Sequence, residues 1–136
     1  VPTGIKVAQA AAANVVPSVT ELGGKSPVVV FADADFDLAL TAVAASAFGN
    51  AGQTCSAGTR LLLQRGAEEF LDKLVAHAAS LRVGPGLTDP DVGPLVAARQ
   101  RDRVLGYLDL AREEGAGLAP FENENPRICR LVVRWT

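Results

Sequence analysis

The sequence predicts an α/β chain, and three observations carry that prediction. Apolar runs of strand length, such as Val28-Val29-Val30-Phe31-Ala32, alternate with stretches whose apolar residues recur at helical spacing. The runs follow one another as strand, helix, strand, helix, the pattern of a layered sheet with flanking helices. Composition agrees: 49% hydrophobic and 21% charged residues among 136 describe a globular domain with a core of its own.

Each element has a local reason. Residues 4–14 are small and Ala-rich, with good helix propensity, and Pro17 stops them. Val19-Thr20-Glu21-Leu22 reads as a short strand broken by Gly23-Gly24. Residues 27–31 read as a second strand of the fully buried kind. Asp33-Ala34-Asp35 is a turn and an N-cap for a helix from Phe36 to about Phe48. That helix carries Leu38, Leu40, Val43, Ala44 and Ala47, so it is expected to be buried. Gly49-Asn50-Ala51-Gly52 ends it, and Cys55 follows in the loop. Residues 59–64 form a strand. Residues 67–81 form an amphipathic helix with Phe70, Leu71, Leu74, Val75 and Ala78 on one face. Residues 82–92 are Gly-, Pro- and Asp-rich and read as a loop. A last amphipathic helix, 97–114, turns Val104, Leu105, Leu108 and Ala111 inward. From Pro120 the sequence changes character, first polar and turn-rich, then Arg mixed with apolar residues.

Composition also excludes function classes. A net charge of −2 gives no electrostatic case for nucleic acid or an anionic membrane. No apolar run approaches the ~20 residues that span a bilayer. Two cysteines, Cys55 and Cys129, make no disulfide scaffold. His77 is the only histidine, so neither a zinc site nor a Ser-His-Asp triad with its G-x-S-x-G is expected. No targeting segment is visible, which points to the reducing cytoplasm. The chain lacks Met and begins at Val1, so its start is expected to lie elsewhere or to be a start codon read as Val.

Two motifs carry chemistry. In Gly52-Gln53-Thr54-Cys55-Ser56-Ala57-Gly58 a thiol sits among glycines after a helix, open to a substrate carbonyl. The Cys55 N–H can donate to a developing oxyanion, and the thiolate is the reactive form. A small buried hydrophobe is the other reading of such a cysteine. In Glu21-Leu22-Gly23-Gly24-Lys25-Ser26-Pro27 a carboxylate precedes two glycines that leave room for a cavity. Partly buried there, it has a raised pKa and serves as a general base; on a strand edge it is merely solvated. His77, off its helix's apolar face, reads as solvated. Asp33, Asp35 and Asp37 read as capping groups and not as a calcium loop. Gly84-Pro85-Gly86 lacks the strand-then-helix context of a dinucleotide fingerprint.

Taken together, the two motifs resemble the aldehyde dehydrogenase superfamily. Its glutamate motif E-L-G-G-K-S-P stands at residues 21–27, and its cysteine motif F-x-x-x-G-Q-x-C-x-A-G at 48–58. Their separation, 55 − 21 = 34 residues, matches the family spacing. Val29-Val30-Phe31-Ala32-Asp33-Ala34-Asp35, Gly93-Pro94-Leu95 and Val104-Leu105-Gly106-Tyr107 also resemble family segments, and the likeness runs from Val1 to about Leu118.

The resemblance implies NAD(P)-dependent oxidation of a small-molecule aldehyde to an acid. Cys55 would be the nucleophile, forming a thiohemiacetal and then a thioester, and Glu21 would activate the hydrolytic water. Leu22 and Gly23 would lie beside the nicotinamide; Gln100 and Arg103 would contact its ribose. Intact relatives are homo-oligomers. Thr20 stands where the family usually has an apolar residue, and Arg103 where it often has Lys. The family's phosphate-contacting Gly-Ser, its oxyanion asparagine and its later E-I-F-G-P segment have no counterpart here. The resemblance therefore implies a partial catalytic domain at 17–119, preceded at 1–16 by the last helix of a mostly missing coenzyme domain. Residues 120–136 would be a divergent tail. The isolated chain is expected to be inactive. The competing expectations are a cofactor-independent thiol esterase using the same two residues and a non-catalytic product that only packs or oligomerises.

Overall fold

The computed structural model describes residues 1–118 and 132–133. In chain order the helices are α1 (Pro2–Ala13), α2 (Phe36–Phe48), α3 (Glu68–Ser80) and α4 (Ala98–Glu113). The strands are β1 (Pro27–Val30), β2 (Arg60–Leu63), β3 (Gly117–Leu118) and β4 (Val132–Val133). Cys129 and most of the expected tail lie outside the described residues.

The centre is a β1–α2–β2–α3 unit. β1 and β2 pair in parallel, Pro27 against Arg60 through Val30 against Leu63. Parallel neighbours need a crossover, and α2 supplies it. Successive strand residues point to opposite faces. Val28, Val30, Leu61 and Leu63 face the helices, where Val30, Val43, Ala44, Phe70 and Leu74 form the core. Phe70 and Leu74 are fully buried, each worth about 1.5–3 kcal/mol of apolar transfer. The Phe36 and Phe70 rings meet edge to face with centroids 5.7 Å apart.

The α2 cap is as expected. Asp35 Oδ1 accepts from the N–H groups of Asp37 and Leu38, each at 3.0 Å. Lys73 on α3 reaches Asp37 at 3.0 Å and so ties α3 to the first turn of α2. At the far end of α3, Arg82 pairs with Asp91 at 3.0 Å and closes the 82–92 segment, aided by a bridge between Val83 and Val92.

Four expectations are corrected. Residues 19–22 form no strand, because no strand among the described residues neighbours them to accept the ladder. β1 is not fully buried: Val29, Phe31 and Leu62 point to the face without helices and stand 53%, 58% and 47% exposed. Parallel sheets are normally covered on both faces, and this one is covered on one. α2 buries only Val43 and Ala44, and Leu38 lies open, because a single helix and a two-stranded sheet cannot enclose its whole surface. α4 likewise buries only Leu108; among the described residues its one broad contact with another element is with β3.

Candidate active site

Both motif loops lead into the same end of the same sheet. Glu21 lies 27 − 21 = 6 residues before β1, and Cys55 lies 60 − 55 = 5 residues before β2. β1 and β2 run parallel with their first residues in register, so the segments that feed them arrive side by side. The Arg60 N–H donates to the Ser26 carbonyl at 3.4 Å, carrying the ladder one step back toward the loops.

Glycine makes the close approach possible. A Cβ on Gly24 would lie 3.0 Å from the Cys55 carbonyl oxygen, tighter than an ordinary contact. At Gly58 a Cβ would meet Val28 Cγ2 at 2.5 Å and Ser46 Oγ at 2.6 Å. The Gly58 N–H donates to both the Ser46 carbonyl, at 3.2 Å, and the Ser46 hydroxyl, at 3.0 Å. So the two glycine-bearing motifs touch, and α2 pins the cysteine loop from behind. Turns from Ala57 to Thr54 (3.1 Å) and from Thr59 to Ala57 (2.8 Å) hold the loop's shape.

Cys55 is exposed, not a buried hydrophobe, and its thiol is free. Among the described residues its N–H has no acceptor, so it is available to an incoming oxyanion. Glu21 is exposed and its carboxylate has no hydrogen-bond partner among the described residues. Of the two readings open for this carboxylate, partly buried or solvated, its exposure agrees with the solvated one.

The remaining expected residues fall into two places. Leu22 leans on α1, where a Cβ on Gly4 would come within 2.8 Å of Leu22 Cδ2. Gly23 borders open space, with nothing within 4 Å of its Cβ position. Gln100 is half-buried in the first turn of α4, and Arg103, one turn further, is exposed. Neither side chain has a partner among the described residues. The start of α4 is tied to the Cys55 loop by Gln53, whose Oε1 accepts from the Val96 N–H at 2.9 Å. The sequence reading gave Gln53 no role of its own; its only signal was its place two residues before Cys55.

A cleft of about 310 Å³ lies elsewhere, lined by Thr41, Ala44, Phe48, His77, Leu81 and Val92 among others, with neither Glu21 nor Cys55. His77 therefore faces this cleft, half-buried, where full solvation was expected. Among the described residues no group of three or more metal-ligating side chains occurs, and no helix is long and apolar enough to cross a membrane.

An exposed thiol and a carboxylate-bearing loop therefore meet at one end of one sheet, a candidate site for thiol chemistry. Comparison gives it a family. The aldehyde dehydrogenase family model matches residues 1–127, and the chain belongs to that family. Betaine aldehyde dehydrogenase 2 of Rhizobium meliloti (strain 1021) is 48% identical over 118 residues, covering 85% of this chain and 24% of that protein. A betaine aldehyde dehydrogenase of Cereibacter sphaeroides is 48% identical over 121 residues, covering 87% and 25%. Among solved structures, betaine aldehyde dehydrogenase from Staphylococcus aureus in complex with NAD+ superposes with a TM-score of 0.81 at 36% identity, over 88% of this chain and 24% of that one. PnpE from Pseudomonas sp. WBC-3 gives 0.84 at 36% identity, over 93% and 27%. The chain thus spans about a quarter of the length of the relatives it matches. The family match runs on to residue 127, beyond the Leu118 limit read from the motifs.

Proposed function

We propose that this chain carries the reacting half of an NAD(P)-dependent aldehyde dehydrogenase, with Cys55 as nucleophile and Glu21 as general base. The observation that carries the reading is the contact of the two motif loops at Gly24 and Cys55. The Cys55 sulfur bonds to the aldehyde carbon as the C=O π bond opens onto oxygen, and the thiol proton passes to Glu21 or to water, giving a thiohemiacetal alkoxide. The Cys55 N–H donates to the oxygen that gains charge. A bound NAD(P)+ would supply the hydride acceptor, and departure of hydride from the alkoxide carbon would leave the thioester on Cys55. Glu21 takes a proton from water, which attacks the thioester carbon; the C–S bond breaks, and the acid departs.

The residues present fit the nicotinamide end of such a cofactor. Gly23 leaves open space beside Leu22, and the unengaged Gln100 amide and Arg103 guanidinium offer donors suited to ribose hydroxyls. An exposed reactive thiol suits a reducing compartment, the cytosol. The chain alone does not turn over, because hydride transfer needs the cofactor held at near-attack distance. The test uses the 136-residue chain with an aldehyde and NAD+ or NADP+, and separately with an activated acetate ester. The expected result is no reduced nicotinamide, but an acetyl group on Cys55 that a Cys55→Ser variant lacks. Robust NADH formation contradicts the inactivity, and acetylation spread over other nucleophiles contradicts the role of Cys55.

A second, non-catalytic reading has its own observation. The bare sheet face of Val29, Phe31 and Leu62 suits packing against other polypeptide. A concentration-dependent elution volume in size exclusion, abolished by Val29→Ser with Leu62→Ser, supports it; monomeric elution at all concentrations contradicts it.

A further inference from the structure

We infer that Gln53 is a positioning residue, whose side chain ties the Cys55 loop to the start of α4 and so sets Gln100 and Arg103 relative to the thiol. The consequence for cofactor contact rests on the function proposed above; the tether itself does not.

α4 is a weakly anchored element. Its N-cap is Ala97, which offers no side-chain acceptor to the first turn. Among the described residues its main contact with another element is with the two-residue β3, not with the β1–α2–β2–α3 unit that carries Cys55. Against that background one hydrogen bond spans 43 residues, from the Val96 N–H to Gln53 Oε1 at 2.9 Å. Val96 immediately precedes the cap, Gln100 is the third residue of the helix, and Arg103 follows on the same face. Fixing Val96 therefore fixes where the first turn starts.

Gln53 is itself held for the task. Its backbone N–H donates to the Asn50 carbonyl at 3.1 Å, and its Nε2 reaches the same oxygen at 3.3 Å. Asn50 answers by donating its Nδ2 to the Gln53 carbonyl at 3.3 Å. Asn50, Ala51 and Gly52 run left-handed in succession, with φ of 51°, 55° and 70°. For Ala51 that conformation is disfavoured and persists only where its surroundings hold it. The reciprocal amide pair closes this turn and leaves Gln53 Oε1 for the Val96 N–H. A primary amide suits the position because it donates and accepts at once. Glutamate at 53 would keep the acceptor for Val96 and lose the donor to Asn50; leucine would lose both.

The experiment compares amide hydrogen exchange at Val96 in the wild-type chain, Gln53→Leu and Gln53→Glu. Exchange of the β2 amides serves as the internal reference for global stability. Iodoacetamide alkylation of Cys55 is measured alongside, with Cys129 as the in-chain reference. For Gln53→Leu the Val96 amide is expected to exchange roughly two- to tenfold faster relative to β2, the loss of one partly exposed hydrogen bond. The Cys55-to-Cys129 alkylation ratio is expected to shift with it, and Gln53→Glu, which keeps the acceptor for Val96 but loses the donor to Asn50, to fall between wild type and Gln53→Leu in both. Unchanged Val96 exchange in Gln53→Leu, a rise shared equally with β2, or equal impairment in Gln53→Glu overturns the inference. None of these readouts requires turnover, so failure of the dehydrogenase reading leaves the tether standing or falling by itself.

Discussion

The β1–α2–β2–α3 unit and the segments on either side of it are built to different standards. The unit buries Phe70, Leu74, Val43 and Val30, caps α2 with Asp35, and ties α3 back through Lys73. The flanking segments hold most of the residues assigned to chemistry: Glu21 and Leu22 beside α1, Gln100 and Arg103 on α4. They are mostly exposed, and they meet the unit through few contacts, among them Gly24 against Cys55, the Arg60 N–H to the Ser26 carbonyl, and the Val96 N–H to Gln53 Oε1. The difference teaches that stability and chemistry are divided along the chain. The packed unit fixes where the two loops join it, and the loops carry the candidate reacting groups on an open surface.

The largest expected effect tests whether the core really lies in the central unit. Phe70→Ala should cost about 3–5 kcal/mol in urea unfolding and leave little native population in so small a core. Leu105→Ala, at a position 43% exposed on α4, should change stability by less than about 0.5 kcal/mol. Equal losses for the two would erase the comparison. Next comes the junction. Gly58→Val places new atoms on Val28 and Ser46, and should cost about 1–3 kcal/mol while altering the alkylation rate of Cys55. A smaller effect is expected at the α2 cap, where Asp35→Ala should cost about 1 kcal/mol in the same unfolding curve and leave Cys55 reactivity unchanged. The smallest effect is electrostatic. The Arg82 side chain, and then its N–H, hold the Asp91 carboxyl below the usual carboxylate range. A depressed folded value means the pair stabilises the fold above the unfolded pKa and loses that contribution as pH falls through the folded one. The thermal midpoint of wild type should therefore exceed that of Asp91→Asn at neutral pH, with the gap closing in acid. A gap that widens in acid would reverse the sign.

The central unit was legible because its signals are local. The Asp35 cap, the 3.6-residue spacing of Phe70, Leu74 and Ala78, and the glycine stop after Phe48 each declare themselves within a few residues. The α/β class follows from them. The missing strand at 19–22 was not legible, since β pairing depends on a partner that the segment's own sequence cannot supply. The open sides of α2 and α4 escaped for the same reason: an apolar face in sequence says that a surface can be buried, not that its cover is present. At the site, Cys55 and Glu21 were singled out by their glycine-rich contexts and by their order and spacing. Their convergence depends on the Pro27–Arg60 register, a tertiary fact. The bond from Gln53 to Val96 depends on how residues 43 apart meet, and a lone Gln before a cysteine does not announce it.

The central claim is that Cys55 and Glu21 act on one carbon in succession. Its most direct test follows the acetyl-Cys55 adduct by intact mass after removal of excess ester, in the wild-type chain and in Glu21→Gln. The account predicts equal placement of the acetyl group in both and markedly slower release in Glu21→Gln. Equal release rates in the two proteins would contradict it, and Cys55 would then be a reactive thiol without a partner base.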